Sequence, residues 1–422
     1  MTTTLLRTRE TLRLCTAGSV DDGKSTLVGR LLHDTRSVLA DQLAAVERTS
    51  ADRGFHGGLD LSLLVDGLRA EREQGITIDV AYRYFATDRR TFILADTPGH
   101  VQYTRNTVTG VSTSQVVVLL VDARHGVVEQ TRRHLTVAAL LGVRTVLLAV
   151  NKIDLVDWSE AVFRDIEAEF TSLAVDVGVD DAHVIPVSAL LGDNVVEPSE
   201  NLPWYEGPTV LELLESVEVH RGRAHALGFR LPIQYVIREH SSDYRGYAGR
   251  VDAGVLTVGD TVHLPEGRTS TVTHIDTADG EVRSAHAGDS VVLRLADDID
   301  LIRGDLIAGE DRPEPTRSFA ATLVGLGDRT LRPGSPVKVR YGTSLVRGRI
   351  AAIERLLDID GRTDHLSPDD LGLNDIAHVR IDVATELPVE PYAARGAVGS
   401  FLLIDQASGD TLAAGLVGHR LR

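Results

Sequence analysis

The 422-residue sequence predicts an α/β domain with a mostly parallel sheet and helices on both faces, followed by two antiparallel β-barrel domains. Two different sequence patterns along the chain support this prediction. Residues 1–218 alternate short apolar runs with longer helical patterns, which is typical of strands buried between helices. Residues 219–422 contain short strand-like runs with frequent glycine turns, and a polar, proline-rich segment at 311–316 divides them. We therefore expect domains over residues 1–218, 219–315 and 316–422.

Five apolar runs in the first domain have the length and character of buried strands. They are LRLCTA (12–17), TFILAD (91–96), QVVVLLVDA (115–123), TVLLAVNK (145–152) and HVIPVSA (183–189). Helical patterns lie between them, over residues 25–43, 129–141 and 159–175. This alternation predicts βαβ units and hence a mostly parallel sheet.

The composition excludes several classes of protein. Hydrophobic residues make up 43% and charged residues 25%, which is ordinary for a soluble globular protein. A single cysteine, Cys15, rules out a disulfide framework and favours a reducing, cytoplasmic location. The N-terminus lacks the apolar segment of a secretory signal, and the longest apolar run, at 116–121, is too short for a membrane span. Because the formal charge is −17, we expect no nucleic-acid partner, and we expect no membrane partner either.

A glycine-rich loop with a lysine follows the first predicted strand. Residues 18–25, GSVDDGKS, match the pattern G-x-x-x-x-G-K-[ST] between a strand and a helix. In such a loop, backbone N–H groups and the helix N-terminus bind phosphates, while Lys24 reaches the β- and γ-phosphates and the Ser25 hydroxyl reaches Mg²⁺. The alternative, a chance glycine turn with a surface lysine, is disfavoured by the flanking strand and helix. The predicted phosphate-binding residues here are Gly18, Ser19, Val20, Asp21, Asp22, Gly23, Lys24, Ser25 and Thr26.

Two further segments predict which base is bound. Asn151-Lys-Ile-Asp154 follows a strand-like run, and an aspartate there can accept hydrogens from guanine N1 and N2, which adenine lacks. The segment at 188–190 follows the next predicted strand and can offer a backbone N–H to guanine O6. Asn-Lys-x-Asp alone more often marks a polar strand end, but the ordered set on consecutive strands is specific. The predicted guanine-binding residues are Asn151, Lys152, Asp154, Ser188, Ala189 and Leu190.

Two segments between these loops carry groups suited to Mg²⁺ and to a γ-phosphate. In Asp96-Thr-Pro-Gly-His100, Asp96 can hold Mg²⁺ through a water and Gly99 can donate its backbone N–H to the γ-phosphate. The alternative is a type I turn that closes the strand. Upstream, the hydroxyl and carbonyl of Thr77 can bind Mg²⁺. The alternative is that this segment is a charged helix end followed by a strand.

Together these residues resemble the translation-factor class of GTPases. The resemblance covers residues 11–190 and continues through the two predicted barrels. It implies GTP and Mg²⁺ as cofactors, with Ser25 and Thr77 binding the metal. His100 matches the position that orients the attacking water, so the resemblance makes it the catalytic candidate.

Other strings are similar to those of a narrower family, the large, GTP-hydrolysing subunit of heterodimeric bacterial sulfate adenylyltransferase. They include residues 27–43, 59–85, 96–110, 121–134, 202–215 and 244–254. This resemblance implies a partner, a small catalytic subunit of the adenine-nucleotide alpha-hydrolase type. That subunit makes adenosine 5′-phosphosulfate and pyrophosphate from ATP and sulfate, and GTP hydrolysis here drives the reaction. No second lysine loop is present, so we do not expect a fused adenylylsulfate kinase.

Two rival functions share this predicted fold. One is a carrier of aminoacyl-tRNA, and the other is a regulatory GTPase that acts on a different enzyme or assembly. The paired Asp21 and Asp22, together with the lack of a basic domain, argue against the carrier. The string LPWYEGP at 202–208 favours the sulfate adenylyltransferase family by resemblance alone. Nothing in the sequence explains why Trp204 stands there.

Overall fold

The computed structural model describes residues 10–52, 59–65, 80–99, 104–218, 227–238, 244–357, 365–366, 368–393 and 398–421. The chain folds into two compact units, Met1–His220 and Arg221–Arg420, which are defined by the contacts within each. The second unit contains two successive β-barrels. The boundaries predicted at 218 and 315 stay a prediction.

A six-stranded sheet forms the centre of the first unit. Its order is β2-β3-β1-β4-β5-β6, and every neighbouring pair is parallel except β2 with β3, which is antiparallel. The strands are β1 (Thr11–Gly18), β2 (Ala81–Ala86), β3 (Thr91–Asp96), β4 (Val116–Asp122), β5 (Thr145–Asn151) and β6 (Asp181–Pro186). The prediction of a mostly parallel sheet is therefore confirmed. The sequence analysis did not single out the edge strand β2, whose Tyr82 and Tyr84 are exposed.

Helices and two separate hydrophobic clusters lie on the two faces of this sheet. Leu12 and Leu14 of β1 belong to one cluster, and Cys15 and Ala17 belong to the other. This division follows from the alternation of side chains along a strand. The helices are α1 (Lys24–Asp34), α2 (Ala40–Asp52), α3 (Thr104–Thr113), α4 (Glu129–Leu140), α5 (Glu160–Asp176) and α6 (Val210–Ser216).

One predicted helical segment, residues 25–43, is broken in the structure. α1 ends at Asp34, and Arg36 adopts a left-handed backbone with φ 55°. The Thr35 N–H still donates to the Leu31 carbonyl at 3.1 Å, but the Ser37 N–H donates to the Leu32 carbonyl at 2.9 Å, which closes the helix C-terminus around the left-handed Arg36. The prediction of one uninterrupted helix was wrong because this C-terminal cap carries no signal in the apolar periodicity.

The first barrel of the second unit has the sheet order β10-β15-β7-β8-β14-β11-β12, and pairing of β10 with β11 closes six of these strands. β9 and β13 pair separately. The strands are β7 (Arg230–Arg238), β8 (Arg245–Arg250), β9 (Val255–Thr257), β10 (Thr261–His263), β11 (Thr269–Thr277), β12 (Gly280–Val282), β13 (Ser284–His286), β14 (Ser290–Leu295) and β15 (Leu306–Ala308).

The second barrel has the order β17-β21-β22-β16-β20-β18-β19, and pairing of β17 with β18 again closes six strands. Its pairings, like those of the first barrel, are antiparallel, which confirms the predicted class. The strands are β16 (Thr316–Gly325), β17 (Pro336–Tyr341), β18 (Ser344–Leu356), β19 (His365–Leu366), β20 (Ile376–Leu387), β21 (Ser400–Asp405) and β22 (Thr411–Val417).

A buried arginine joins the two barrels of the second unit. Arg230 is 2% exposed. Its Nε and Nη2 donate to the two carboxylate oxygens of Glu390 at 2.8 and 3.0 Å, and its Nη1 donates to Asp311 at 3.0 Å. This bidentate pairing compensates a cation that would be costly to bury alone.

Among the described residues, no helix combines the length and the apolar character needed to cross a membrane.

Candidate nucleotide-binding site

The predicted nucleotide motifs meet at one edge of the parallel sheet. β1 ends at Gly18, β3 at Asp96, β4 at Asp122 and β5 at Asn151. The carboxyl ends of neighbouring parallel strands are the usual ligand-binding edge of such a sheet. α1 begins at Lys24, so its N-terminal N–H groups lie at the same edge, where they favour an anion.

The conformation of the loop between β1 and α1 depends on its glycines. Gly23 has φ 91°, and a Cβ on it would lie 2.3 Å from Nδ2 of Asn151. A Cβ on Gly18 would lie 2.7 Å from the Leu120 carbonyl oxygen. Both positions therefore exclude any larger residue on packing grounds, and Gly23 does so on backbone grounds as well. Asp21 is also left-handed, with φ 66°.

Lys24 is held inside this loop. Its side chain is buried, and Nζ donates to the carbonyl oxygens of Gly18 at 2.9 Å and Ser19 at 2.6 Å. Burial lowers the pKa of Lys24, while the negative charges of Asp96 and Asp22 act in the opposite direction. An ammonium group so placed is a fixed positive charge within the glycine-rich loop.

The remaining predicted phosphate-loop residues lie around this lysine. The Ser19 N–H donates to Oδ2 of Asp22 at 2.6 Å, and burial raises the pKa of the Asp22 carboxyl group despite its proximity to Lys24. Val20 is exposed at the tip of the loop, and Ser25 and Thr26 are half-buried in the first turn of α1.

Gly99 lies directly against the phosphate loop. A Cβ on Gly99 would be 2.4 Å from Nζ of Lys24 and 2.7 Å from the Gly18 carbonyl oxygen. The structure thus brings together two motifs that are about eighty positions apart in the sequence. Thr77 and His100, the other two residues predicted for this region, lie outside the described residues.

Asp96 is fully buried at the end of β3. The Thr16 hydroxyl donates to its Oδ1 at 2.8 Å, and the Thr97 hydroxyl donates to the Thr16 carbonyl at 2.6 Å. Hydroxyl and carboxylate oxygens, as in Ser25 and Asp96, are the ligand type that Mg²⁺ takes, and this ion usually keeps several waters. Among the described residues, no cluster of three His, Cys, Asp or Glu side chains could hold a metal ion by itself.

Asn151 links the phosphate loop to the segment at 188–190. It is 2% exposed, and its Nδ2 donates to the Asp22 carbonyl at 2.7 Å. Its Oδ1 accepts the Ala189 N–H at 2.9 Å. The Ser188 N–H donates to the Asp193 carbonyl at 3.2 Å, and Leu190 is exposed beside them. The sequence predicted that this segment faces a base, and the structure adds that Asn151 holds it in place.

Lys152 bridges two strand ends and the phosphate loop. Its Nζ donates to the Asp21 carbonyl at 2.5 Å and lies 3.0 Å from Oδ2 of Asp122. Burial alone would raise the pKa of Asp122, but hydrogen bonds from Arg124 and Lys152 outweigh it and hold that pKa well below its usual range. The lysine stem is thereby stretched along this edge, next to the short 3₁₀ turn Ile153–Val156 that contains the half-buried Asp154.

Sequence reasoning assigned no role to Asp122 and Arg124. Asp122 is 3% exposed, and its two oxygens accept from Arg124 at 3.0 and 2.6 Å. The available signal was a carboxylate at the end of an apolar run, followed two residues later by arginine. The first part of that signal, a carboxylate at the end of an apolar run, is shared by Asp96, whose motif the sequence does display.

Two models of known protein families match parts of the chain. The model of the elongation factor Tu GTP binding domain matches residues 9–221, and the model of the GTP-eEF1A C-terminal domain-like family matches residues 318–418. A solved structure of sup35 complexed with GMPPNP is 26% identical, covering 98% of this chain and 95% of that chain. Its TM-score is 0.43.

Curated relatives match nearly the whole chain. "Sulfate adenylyltransferase subunit 1" of Aeromonas hydrophila is 48% identical over 410 residues, covering 96% of this chain and 86% of the relative. The protein of the same name from Chromobacterium violaceum is 49% identical over 414 residues, covering 97% and 86%. "Bifunctional enzyme CysN/CysC" of Mycobacterium tuberculosis is 51% identical over 412 residues, covering 96% of this chain and 67% of the relative. The chain therefore belongs to the elongation factor Tu-type GTP-binding family and, within it, to the family of sulfate adenylyltransferase subunit 1.

Proposed function

We propose that this chain is the GTP-hydrolysing subunit of a cytoplasmic sulfate adenylyltransferase. The observation that carries the proposal is the 48% identity to sulfate adenylyltransferase subunit 1 of Aeromonas hydrophila over 96% of this chain. A protein named subunit 1 has at least one other subunit. We propose that this partner is a small catalytic subunit of the adenine-nucleotide alpha-hydrolase type.

In the proposed site, the loop at 18–26 binds the phosphates of GTP. Two of the three ammonium hydrogens of Lys24 go to the carbonyls of Gly18 and Ser19, so the third is directed to a β- or γ-phosphate oxygen. The N–H groups of the first turn of α1 supply further donors. The contact between Gly99 and Lys24 supports a donor from Gly99 to the γ-phosphate.

Asp154 and the segment at 188–190 read the base. Asp154 accepts from guanine N1 and N2, and the Lys152 stem covers one face of the ring. The bonds of Asn151 to Asp22 and Ala189 fix the distance between the phosphate loop and the base-reading segment. Adenine has no donor pair at the equivalent positions, so Asp154 discriminates against it.

Ser25, Asp96 and Thr77 are the proposed Mg²⁺ residues. The buried Asp96, oriented by the Thr16 hydroxyl, suits a hard cation that neutralises phosphate charge. His100 is the proposed residue that orients the attacking water, and it follows Gly99 directly in the sequence. Water then attacks the γ-phosphorus of GTP and the bond to the β-phosphate oxygen breaks, which yields GDP and phosphate.

GTP hydrolysis is proposed to drive chemistry on the partner. There, a sulfate oxygen attacks the α-phosphorus of ATP and pyrophosphate leaves, which forms a reactive sulfate–phosphate anhydride. Coupling requires that the GTP and GDP states of this chain bind the partner's states with different affinity. The segments around Thr77 and at 99–103 are the proposed contact surface, because they respond to the γ-phosphate. Delivery of aminoacyl-tRNA has less support, since the full-length relatives carry the sulfate adenylyltransferase name.

The test is an assay of the native complex. The complex is purified through this chain, and pyrophosphate release is followed with ATP, sulfate and GTP, each omitted in turn. We expect release that depends on sulfate and is stimulated by GTP. A stoichiometric complex that binds GTP but releases no pyrophosphate under any of these conditions would refute the proposal.

A further inference from the structure

The backbone behind the proposed guanine-reading turn is strained. Asp157 and Trp158 have φ of 55° and 48°, so two successive non-glycine residues are left-handed. They directly follow the 3₁₀ turn Ile153–Val156, and the Trp158 N–H donates back to the Ile153 carbonyl at 2.9 Å. Such a conformation persists only where neighbouring contacts hold it. The contacts of Trp158 therefore determine where the turn with Asp154 lies.

Two indole groups provide those contacts. The Trp158 Nε1 donates to Oδ2 of Asp193 at 3.0 Å, and the Trp204 Nε1 donates to the Trp158 carbonyl at 3.0 Å. An indole N–H can only donate, so each bond has a fixed direction. Trp158 is thus held at its side chain by one neighbour and at its backbone by another. These are the only two tryptophans in the chain.

Asp193 connects this turn to the other base-reading segment. Its carbonyl accepts the Ser188 N–H at 3.2 Å, one residue before Ala189. Its second carboxylate oxygen, Oδ1, accepts from the Ser199 hydroxyl at 2.6 Å and from Nδ2 of Asn201 at 3.2 Å. One residue therefore joins both segments that are proposed to contact guanine.

Trp204 is itself seated by aromatic packing. Its ring centroid lies 5.3 Å from that of the fully buried Phe163 on α5 and 6.4 Å from that of Tyr205, in an edge-on arrangement. The Arg164 guanidinium lies 5.9 Å from the ring centroid. The string at 202–208, which no nucleotide motif accounts for, thus places a donor on the Trp158 carbonyl.

We propose that Asp193, Trp158 and Trp204 are positioning residues that fix the spacing between Asp154 and Ala189, and through it the preference for guanine over hypoxanthine. The proposal rests on the proposed GTP site. Guanine has a 2-amino group for Asp154, and hypoxanthine lacks it. If this network is loosened, Asp154 is displaced and GDP loses the hydrogen bond from its 2-amino group to Asp154. IDP has no 2-amino group and loses no such bond. The ratio of GDP to IDP affinity should therefore fall.

The experiment measures dissociation constants for GDP and IDP by isothermal titration calorimetry. Asp193→Ala removes all three hydrogen bonds of the carboxylate, while Trp158→Phe and Trp204→Phe each remove one donor and keep an aromatic ring. We expect each to lower the GDP-to-IDP preference, by on the order of tenfold for Asp193→Ala. Asp193→Asn retains an acceptor for Trp158, so we expect its preference to stay within about threefold of the unsubstituted chain.

Tyr205→Phe is the matched control. Its hydroxyl donates to the Pro208 carbonyl at 3.1 Å and has no bond to Trp158 or Asp193, so we expect the preference to be unchanged. The inference is overturned if Asp193→Ala and Trp204→Phe change GDP and IDP affinity by the same factor, or if Tyr205→Phe lowers the preference as they do. If the unsubstituted chain binds GDP no better than ADP, the proposed GTP site itself is refuted.

Discussion

Replacing Lys24 by arginine should severely weaken nucleotide binding although the charge is kept. The Nζ of Lys24 lies 2.6 Å and 2.9 Å from two carbonyl oxygens, and Gly99 is so close that a Cβ on it would lie 2.4 Å from Nζ. A guanidinium adds two nitrogens beyond this position and is planar, so it has no room without displacing the loop.

The size of this effect follows from the bonds that are lost. The substitution removes a charge-assisted bond to a phosphate and at least one to the loop, and hydrogen bonds to charged groups contribute about 1.5–3 kcal/mol each. The loss is thus about 3–6 kcal/mol, which weakens GDP binding roughly 10²- to 10⁴-fold. Lys338→Arg is the control, because Lys338 is on β17 in the second unit, far along the chain from the nucleotide motifs.

The assay is a fluorescence titration with a labelled GDP analogue, supported by thermal unfolding of the free variants. We expect Lys24→Arg to unfold cooperatively yet bind weakly, and Lys338→Arg to bind normally. If Lys24→Arg bound within about threefold of the unsubstituted chain, the account of a closely fitted ammonium would be wrong.

Three further predictions concern other parts of the chain. Gly99→Ala should weaken binding of a GTP analogue more than binding of GDP, since a Cβ would meet Lys24 and displace Gly99, the proposed donor to the γ-phosphate. An equal loss of affinity for both nucleotides in a titration would contradict this. Arg230→Ala should cost about 3–5 kcal/mol in urea unfolding because it leaves the half-buried Glu390 without its cation. Arg317→Ala, at an exposed ion pair, should cost less than about 1 kcal/mol, and similar losses for the two variants would contradict this. Burial, together with repulsion from Lys24 and Arg133, lowers the pKa of His134 to about 3. The neutral His134 therefore contributes fully to stability above its ordinary pKa, and this contribution is lost as the pH falls toward about 3. In His134→Gln, the free energy of unfolding should therefore depend less on pH between about pH 6.5 and 3. If the pH dependence in this range were unchanged, His134 would not be its source.

Much of the fold was readable from the sequence because its strands are long apolar runs. The runs at 91–96 and 145–152 became β3 and β5 almost residue for residue, since burial on both faces leaves no polar alternation to confuse the pattern. β2 was not singled out, because an edge strand with exposed Tyr82 and Tyr84 lacks that apolar signal. The predicted α/β class with two barrels is confirmed.

The sequence predicted the candidate site only where its residues belong to short local motifs. The loop around Lys24 and the segment at 151–154 have fixed spacings that sequence displays. The bonds of Asn151 to Asp22 and Ala189 join positions 129 and 38 residues apart, and no local pattern reports such distances. The indole hydrogen bond from Trp204 to the Trp158 carbonyl is of the same kind, so the sequence could not suggest the positioning role that we propose for Trp204.

The central claim is that GTP hydrolysis by this chain drives sulfate activation, and the equilibrium yield of adenosine 5′-phosphosulfate tests it most directly. The purified complex is incubated with fixed ATP and sulfate until the yield is constant, and then GTP or a non-hydrolysable GTP analogue is added. We predict that GTP raises the yield above its previous plateau and that the analogue does not. In the complex that carries His100→Ala, GTP should likewise leave the yield at its plateau. A plateau unchanged by GTP in a complex that hydrolyses GTP would contradict the claim.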